Sequence, residues 1–251
     1  MKRLFAAFLI SFIVCFSFLH ASPPRLNGEQ IEQCSDIVIH VIDKNSRSKN
    51  ETIDELLLLQ KSLIVPAKNP IPEKFAKTGF LLIPMTSEFV LHLLDQKDGR
   101  IVCAYLDKRL VGYILLIDTS EFKELYQDAN VGRFAPSIDW IAMNSWLDDR
   151  AVGYIEQIAV KPGYSRMGIG SKLITKSKEI KPNGLIADVF IQPVKNQSSV
   201  LFFSSQDFFP FGILFQYPIA HVYFPYAHQT QVFFWNPDFQ LASNPPHYFN
   251  L

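Results

Sequence analysis

The stretch that decides the fold runs from Tyr154 to Lys176 and reads YIEQIAVKPGYSRMGIGSKLITK. Its β-prone start predicts a strand over residues 153–160, and the apolar spacing after Gly168 predicts a helix over 168–180. Gly168 and Gly170 leave the backbone open to a ligand, and the free amides of a helix start favour an anionic phosphate. The residues therefore predict a phosphate-binding turn, with an ordinary tight strand-to-helix turn as the alternative.

The rest of the chain is predicted to alternate between strands and helices. Thr52 and Glu55 match a capping box, which predicts that a helix starts there and runs to about Leu63. Two apolar runs around the polar turn 107–109 predict an antiparallel hairpin. The full order is a strand at 37–42, helices at 52–63 and 86–99, hairpin strands at 101–106 and 110–117, the strand and helix above, a strand at 185–191, a helix at 196–206, and strands at 208–215 and 231–235. This order predicts an α/β sandwich with a mixed sheet.

Two signatures carry a resemblance to a known family. The run around Gly168-Ile169-Gly170 resembles motif A of the GNAT N-acetyltransferases, Q/R-x-x-G-x-G/A after a strand, with Ser165 at the Q/R position and Arg166 displaced by one residue. The segment 196–208 resembles the family's N-x-x-A-x-x-x-Y-x-x-x-G-F signature, with Phe203 in place of its Tyr. The hairpin strands resemble the pair that precedes motif A, so the resemblance covers roughly residues 37–235.

This resemblance implies a fold, a cosubstrate and a binding site. The implied fold is a mixed, mostly antiparallel central sheet that is splayed in the middle and flanked by helices on both faces. The implied cosubstrate is acetyl-CoA, with its pantetheine arm along the first splayed strand and its pyrophosphate at the glycine turn. The residues expected to bind it are Ile158, Ala159, Val160, Ser165, Arg166, Met167, Gly168, Ile169, Gly170, Ser171 and Asn196.

Acyl transfer to an amine requires a base that removes the amine's proton. Alternation along a strand places Tyr154, Glu156 and Ile158 on one face, and Glu156 is the carboxylate among them, so it is the predicted base. The alternative is that Glu156 pairs with a surface Lys or Arg. The family's Tyr protonates the departing thiolate in many members, and Phe203 has no hydroxyl for this.

Two functions from different classes follow from these residues. The first is N-acetyltransfer from acetyl-CoA to an amine of unknown identity by direct attack in a ternary complex. The second is a catalytically weak or inactive GNAT-fold module of the cell envelope that binds acyl-CoA, which Phe203 and Ser165 favour.

The N-terminus has the layout of a targeting segment. Lys2 and Arg3 precede the uncharged run 4–19, and a small residue, Ala21, follows. This predicts a signal peptide or membrane anchor over 1–21, with membrane contact through 4–19 in the anchored case. The protein is then exported or anchored, or cytoplasmic if the segment is not processed. A linker at 22–35, a catalytic domain at 36–237 and an irregular tail at 238–251 complete the predicted organisation.

Composition bears on the remaining classes of partner. Basic and acidic residues balance at 24 each, which argues against a nucleic-acid partner. The three cysteines lack metal-ligand spacing, so no metal is expected. The long insertion at 119–150 is expected to be functional or disordered.

Overall fold

The structure is a computed structural model, and it describes residues 36–65, 77, 79–81, 84–119, 133–134, 148, 152–192, 195–216 and 228–237. The predicted targeting segment at 1–21, the linker at 22–35 and the tail at 238–251 lie outside the described residues. So does most of the insertion at 119–150.

The described elements follow the predicted order, with one additional strand from the insertion at 119–150. The strands are β1 (Val38–Ile42), β2 (Arg100–Leu106), β3 (Arg109–Ile117), β4 (Arg133–Phe134), β5 (Val152–Val160), β6 (Gly184–Gln192), β7 (Phe209–Gln216) and β8 (His228–Trp235). The helices are α1 (Lys49–Lys61), α2 (Ser87–Asp95), α3 (Ile169–Ile180) and α4 (Gln197–Ser205).

The described strands form one sheet in the order β1-β2-β3-β5-β6-β8-β7-β4. Its neighbours run antiparallel, except that β5 and β6 run parallel. The predicted mixed, mostly antiparallel sheet is therefore confirmed. β4 comes from the insertion and pairs with β7 at the edge of the sheet.

The predicted hairpin is present as β2 and β3. Its turn consists of Asp107 and Lys108, whose φ angles are 49° and 63°. Positive φ at both central residues is the geometry that matches the twist of two paired strands. Arg109, predicted as part of the turn, instead begins β3.

The predicted start of α1 is wrong. The helix begins at Lys49, about one turn before the expected capping box, and Thr52 is already inside it, with its amide donating to Ser48 O at 2.9 Å. A turn held by the Ser46 hydroxyl, which accepts from Asp43 N and donates to Asp43 Oδ1, leads the chain into this earlier start. Thr52 is buried rather than free to cap.

Helices cover both faces of the sheet, as predicted. On one face α1 and α2 bury a core that includes Ile53, Leu56, Val90 and Leu93. On the other face the buried core includes residues of α3 and α4. Apolar burial on both faces is the main stabilising contribution, at about 25 cal/mol per Å² of apolar surface. The two helical layers hold the strands between them, and β5 and β6 lie in the middle of the sheet.

Candidate active site between the splayed strands

The two central strands separate part-way along their length. β5 and β6 are paired from Val152 to Ile155 and from Gly184 to Ala187, and the described residues of the two strands show no further pairing. Glu156 and Asp188 are the first residues beyond the paired part. The sheet is therefore splayed in the middle, as the family resemblance implied, and two carboxylates lie where the gap opens.

A β-bulge lies at the same point on the other side of β5. Leu115 of β3 faces Gln157, and the next residue, Leu116, faces Ile155, so Glu156 is the extra residue of the bulge. Because side chains alternate along a strand, one extra residue exchanges the faces of everything after it. Tyr154 therefore shares the α1/α2 face with Ala159, while Ile158 faces α3. The predicted common face of Tyr154, Glu156 and Ile158 is wrong for this reason.

Buried polar side chains stabilise the bulged strand from the α1/α2 side. Gln157 Oε1 accepts from Gln60 Nε2 at 2.9 Å and also from the Tyr113 hydroxyl. Gln60 Oε1 in turn accepts from Met85 N at 3.0 Å. These bonds join α1, β3 and the chain before α2 to β5 directly below the splay.

The turn between β5 and α3 has the backbone that its glycines predict. Gly168 caps α3 with a φ of 76°, and a Cβ built on it would meet nothing within 4 Å. Lys172 N makes an early helical bond, to Gly168 O at 3.0 Å, so the amides of Ile169, Gly170 and Ser171 are left at the open end of the helix. Open amides, a positive dipole end and unfilled space suit an anion.

A cleft of about 460 Å³ lies over this turn. Of the eleven residues predicted to bind the cosubstrate, nine line it: Ile158, Ala159, Val160, Ser165, Arg166, Gly168, Ile169, Gly170 and Ser171. Met167 is absent from the lining and is 46% exposed. Lys77 and Phe202 also line the cleft, and neither was predicted from the sequence. Phe202 belongs to the aromatic α4, but nothing local in the sequence places Lys77 here.

The helices α3 and α4 touch at the wall of the cleft. A Cβ added to Gly170 would lie 2.8 Å from Cε2 of Phe202, which is closer than van der Waals contact allows. A side chain at position 170 would therefore require the Phe202 ring to move.

Asn196, which was predicted to bind the cosubstrate, has a structural task in the described fold. Its Oδ1 accepts from Ser199 N at 3.3 Å and so caps α4, and its Nδ2 donates to Phe80 O at 3.3 Å. Asn196 is buried and lines a second, smaller cavity rather than the large cleft.

That second cavity, of about 100 Å³, occupies the splay itself. It shares Phe80, Leu81, Ile158 and Ser199 with the large cleft, so the two spaces adjoin. Glu156 and Asp188 both line it, which makes them the two carboxylates among its described residues.

Asp188 is a site residue that sequence reasoning missed. It is partly buried and lines the cavity, and the Tyr154 hydroxyl donates to its Oδ1 at 2.5 Å. Burial raises the pKa of Asp188, while the hydroxyls of Tyr154 and Thr230 act to lower it. Thr230 Oγ1 is near enough for this effect, although its geometry falls outside that of a hydrogen bond. The signal in the sequence that could have indicated Asp188 is a charged residue within the apolar run 185–191.

Comparison with known proteins identifies the family. The model of the acetyltransferase (GNAT) family matches residues 72–208, more than half of the chain. The chain belongs to the GNAT acetyltransferase family. No curated protein matches the sequence.

Solved structures share the GNAT fold at low sequence identity. NAA60 of Arabidopsis thaliana, in complex with acetyl-CoA, is 14% identical with a TM-score of 0.50, over 80% of this chain and 99% of that one. A GNAT-family acetyltransferase from Streptococcus pneumoniae is 12% identical with a TM-score of 0.46, over 80% and 99%. The ribosomal-protein-S18-alanine N-acetyltransferase of Escherichia coli is 8% identical with a TM-score of 0.47, over 84% and 99%.

This GNAT chain departs from the family signature at Phe203. Phe203 is 2% exposed, and its ring packs against Phe208 at 5.1 Å and Phe233 at 5.8 Å between centroids. It also lines the cavity in the splay. Phe203 therefore lies at the cavity, where its ring has no hydroxyl to donate a proton.

Two features are absent from the described part of this GNAT chain. Within it, no helix is long and apolar enough to cross a membrane. In the same residues, no group of three or more His, Cys, Asp or Glu side chains is placed to hold a metal ion.

Proposed function

We propose that this protein transfers the acetyl group of acetyl-CoA to an amine by direct attack, with both substrates bound together. The observation that carries the proposal is the continuity between the cleft at the start of α3 and the cavity in the splay, where two carboxylates lie. A donor held in the cleft on the α3 side can present its thioester to an amine that enters from the α1/α2 side.

The cleft fits the donor in two respects. The open amides at the start of α3, together with Arg166 and Lys77 in the lining, suit the phosphates. Beyond Ile155 the edge of β5 that faces β6 has no strand partner in the described residues, so its amides and carbonyls are available to the amide groups of a pantetheine arm. Acetyl-CoA supplies an acetyl group activated as a thioester.

A covalent route through cysteine is not supported by the described residues. Burial raises the pKa of Cys103 to about 12, so its thiol stays protonated near neutral pH. Cys103 also lies on β2, two strands away from β5. Direct transfer requires no nucleophile from the protein.

A carboxylate at the splay is proposed to take the proton from the amine. Glu156, the candidate from the sequence, is half-buried and lines the cavity. Replacing it with Gln keeps its size and removes its basicity, so a loss of kcat with unchanged acetyl-CoA affinity is the expected result if Glu156 acts in this way.

The decisive experiment uses the full chain and a panel of amines. Acetyl-CoA binding is measured by calorimetry, and released CoA thiol is measured with and without each amine. Amine-dependent thiol release, with acetylated amine detected by mass spectrometry, is the expected outcome. Binding without release in any mixture would instead support the second candidate, a GNAT-fold acyl-CoA-binding module, which Phe203 at the cavity favours.

We also propose that residues 1–21 direct the chain to export, on the basis of the basic start and the uncharged run 4–19. Cleavage after Ala21 is expected. N-terminal sequencing of protein from the native host tests this, and recovery of intact Met1 from a soluble cytosolic fraction would contradict it.

A further inference from the structure

Asp188 lies on the face of the sheet opposite to α3, the helix whose start is proposed to bind acetyl-CoA. Its neighbour Tyr154 faces the α1/α2 core, and so does Val232, which stands directly opposite Asp188 on β8. The open amides of α3 lie on the other face. An amine that approaches a thioester held on the α3 side from the α1/α2 side would meet Asp188.

A carboxylate in this place is costly for the fold. Asp188 interrupts an apolar strand, and no Lys, Arg or His among the described residues forms an ion pair with it. Burial of a charge without a cation is unfavourable. Such a group at a cavity is a candidate for function rather than for stability.

The polar groups around Asp188 are few. Tyr154 from β5 donates to it, and Glu156 lies across the cavity. From β8 the adjacent polar group is Thr230, which does not titrate. On β3, Tyr113 donates to Gln157 instead. The described residues of the cavity include no cation, so Glu156 and Tyr154 are the titratable groups that face Asp188.

We propose that Asp188 is the catalytic base that takes the proton from the acceptor amine, and that Tyr154 positions its carboxylate. The assignment rests on the proposed acetyl transfer. The amine nitrogen forms a bond to the acetyl carbon, the carbon–sulfur bond breaks, the proton on nitrogen passes to Asp188 Oδ2 or Oδ1, and the departing thiolate takes a proton from water. A base with a raised pKa is better matched to an alkylammonium than an ordinary carboxylate.

The first test compares Asp188→Asn with Glu156→Gln across pH. A base must be ionised, so kcat/KM of the unaltered protein rises with pH through the pKa of that base. Asp188→Asn is expected to lower kcat by about 10²- to 10⁴-fold, with acetyl-CoA affinity unchanged. It is also expected to remove the rise of kcat/KM on the acid side of the pH profile, which is called the acid limb below. Glu156→Gln is expected to retain the acid limb.

The second test uses Tyr154→Phe. Tyr154 lowers the pKa of Asp188, so loss of its hydroxyl raises that pKa further. The acid limb is then expected to move to higher pH, while activity persists above it. A purely structural role of Tyr154 would reduce activity without moving the limb.

The third test measures stability instead of activity. Because the folded state raises the pKa of Asp188 above 3.8, the fold favours the protonated form, and stability is lost as pH rises above that value. Asp188→Asn mimics the protonated form. Its Tm is expected to match the unaltered protein near pH 4 and to exceed it at pH 8.

The outcomes separate the two claims. If the unaltered protein shows no amine-dependent transfer, both the proposed function and the assignment of Asp188 are contradicted. Transfer that survives Asp188→Asn but not Glu156→Gln overturns this assignment alone. A lower Tm of Asp188→Asn than of the unaltered protein at pH 8 would also overturn it, since the ionised carboxylate would then be supporting the fold.

Discussion

Lys181 Nζ lies 3.3 Å from Asp98 Oδ2, and the lysine side chain is only 3% exposed. The stem of the same side chain passes so close to β5 that a Cβ on Gly153 would lie 2.7 Å from Lys181 Cγ. The end of α3 is thus fixed both to the strand below it and to the turn before β2.

Asp98→Asn is therefore expected to destabilise the protein. Asp98 keeps 29% of its side chain exposed, so the expected loss in free energy of unfolding is about 1–3 kcal/mol rather than the full cost of a buried unpaired charge. Glu179→Gln is the matched control, because it removes the exposed ion pair with Lys176 and is expected to cost under about 0.5 kcal/mol. Denaturant unfolding measures both, and equal effects would contradict the prediction.

Gly168→Val is expected to weaken acetyl-CoA binding by at least about tenfold, which corresponds to 1.4 kcal/mol. The valine side chain would fill space that the protein leaves open at the cleft. Gly163→Val is the control, because Gly163 also has a positive φ and open space but does not line the cleft. The control shares the backbone strain, so calorimetry should show weaker binding for Gly168→Val alone. Unchanged affinity in Gly168→Val would place the phosphates elsewhere.

Arg166 adopts a φ of 67°, which is a left-handed conformation that favours glycine. Arg166→Gly is expected to be more stable than Arg166→Ala by about 1 kcal/mol, because alanine keeps the backbone strain. Both variants lose the guanidinium that lines the cleft, so both are expected to bind acetyl-CoA more weakly and with less dependence on salt. Thermal unfolding and calorimetry at two salt concentrations separate the two effects.

Phe203→Tyr is expected to raise kcat with little change in the KM for acetyl-CoA, because the new hydroxyl would stand at the cavity and protonate the leaving thiolate. Phe208→Tyr is the control, since Phe208 is equally buried in the same aromatic cluster but does not line the cavity. A gain in both variants, or in neither, would argue against a specific proton donor at position 203.

Much of the fold follows from local sequence signals. The hairpin turn at Asp107 and Lys108, the strand into α3 and the cap at Gly168 all depend on neighbouring residues, so periodicity and glycine placement predict them. Nine of the predicted cosubstrate residues line the cleft for the same reason, because they belong to one continuous segment.

The parts that were wrong or missed depend on distant contacts. At the bulge, β5 has one residue more than the paired part of β3, namely Glu156. This cannot be predicted from the sequence of either strand alone. Tyr154 and Asp188 are 34 positions apart and meet because their strands are parallel neighbours. The start of α1 is the exception, because the turn between Asp43 and Ser46 is local and leads the chain into a helix that begins before the capping box.

The contact between Gly170 and Phe202 has a kinetic consequence. The two helices already touch at this wall, so the wall is in place before a ligand arrives. A preformed site requires no rearrangement before it binds, so the association rate of acetyl-CoA is then limited by diffusion and by the removal of water from the site. A single-phase association of acetyl-CoA, with a rate that rises linearly with concentration, is the behaviour that such a wall permits.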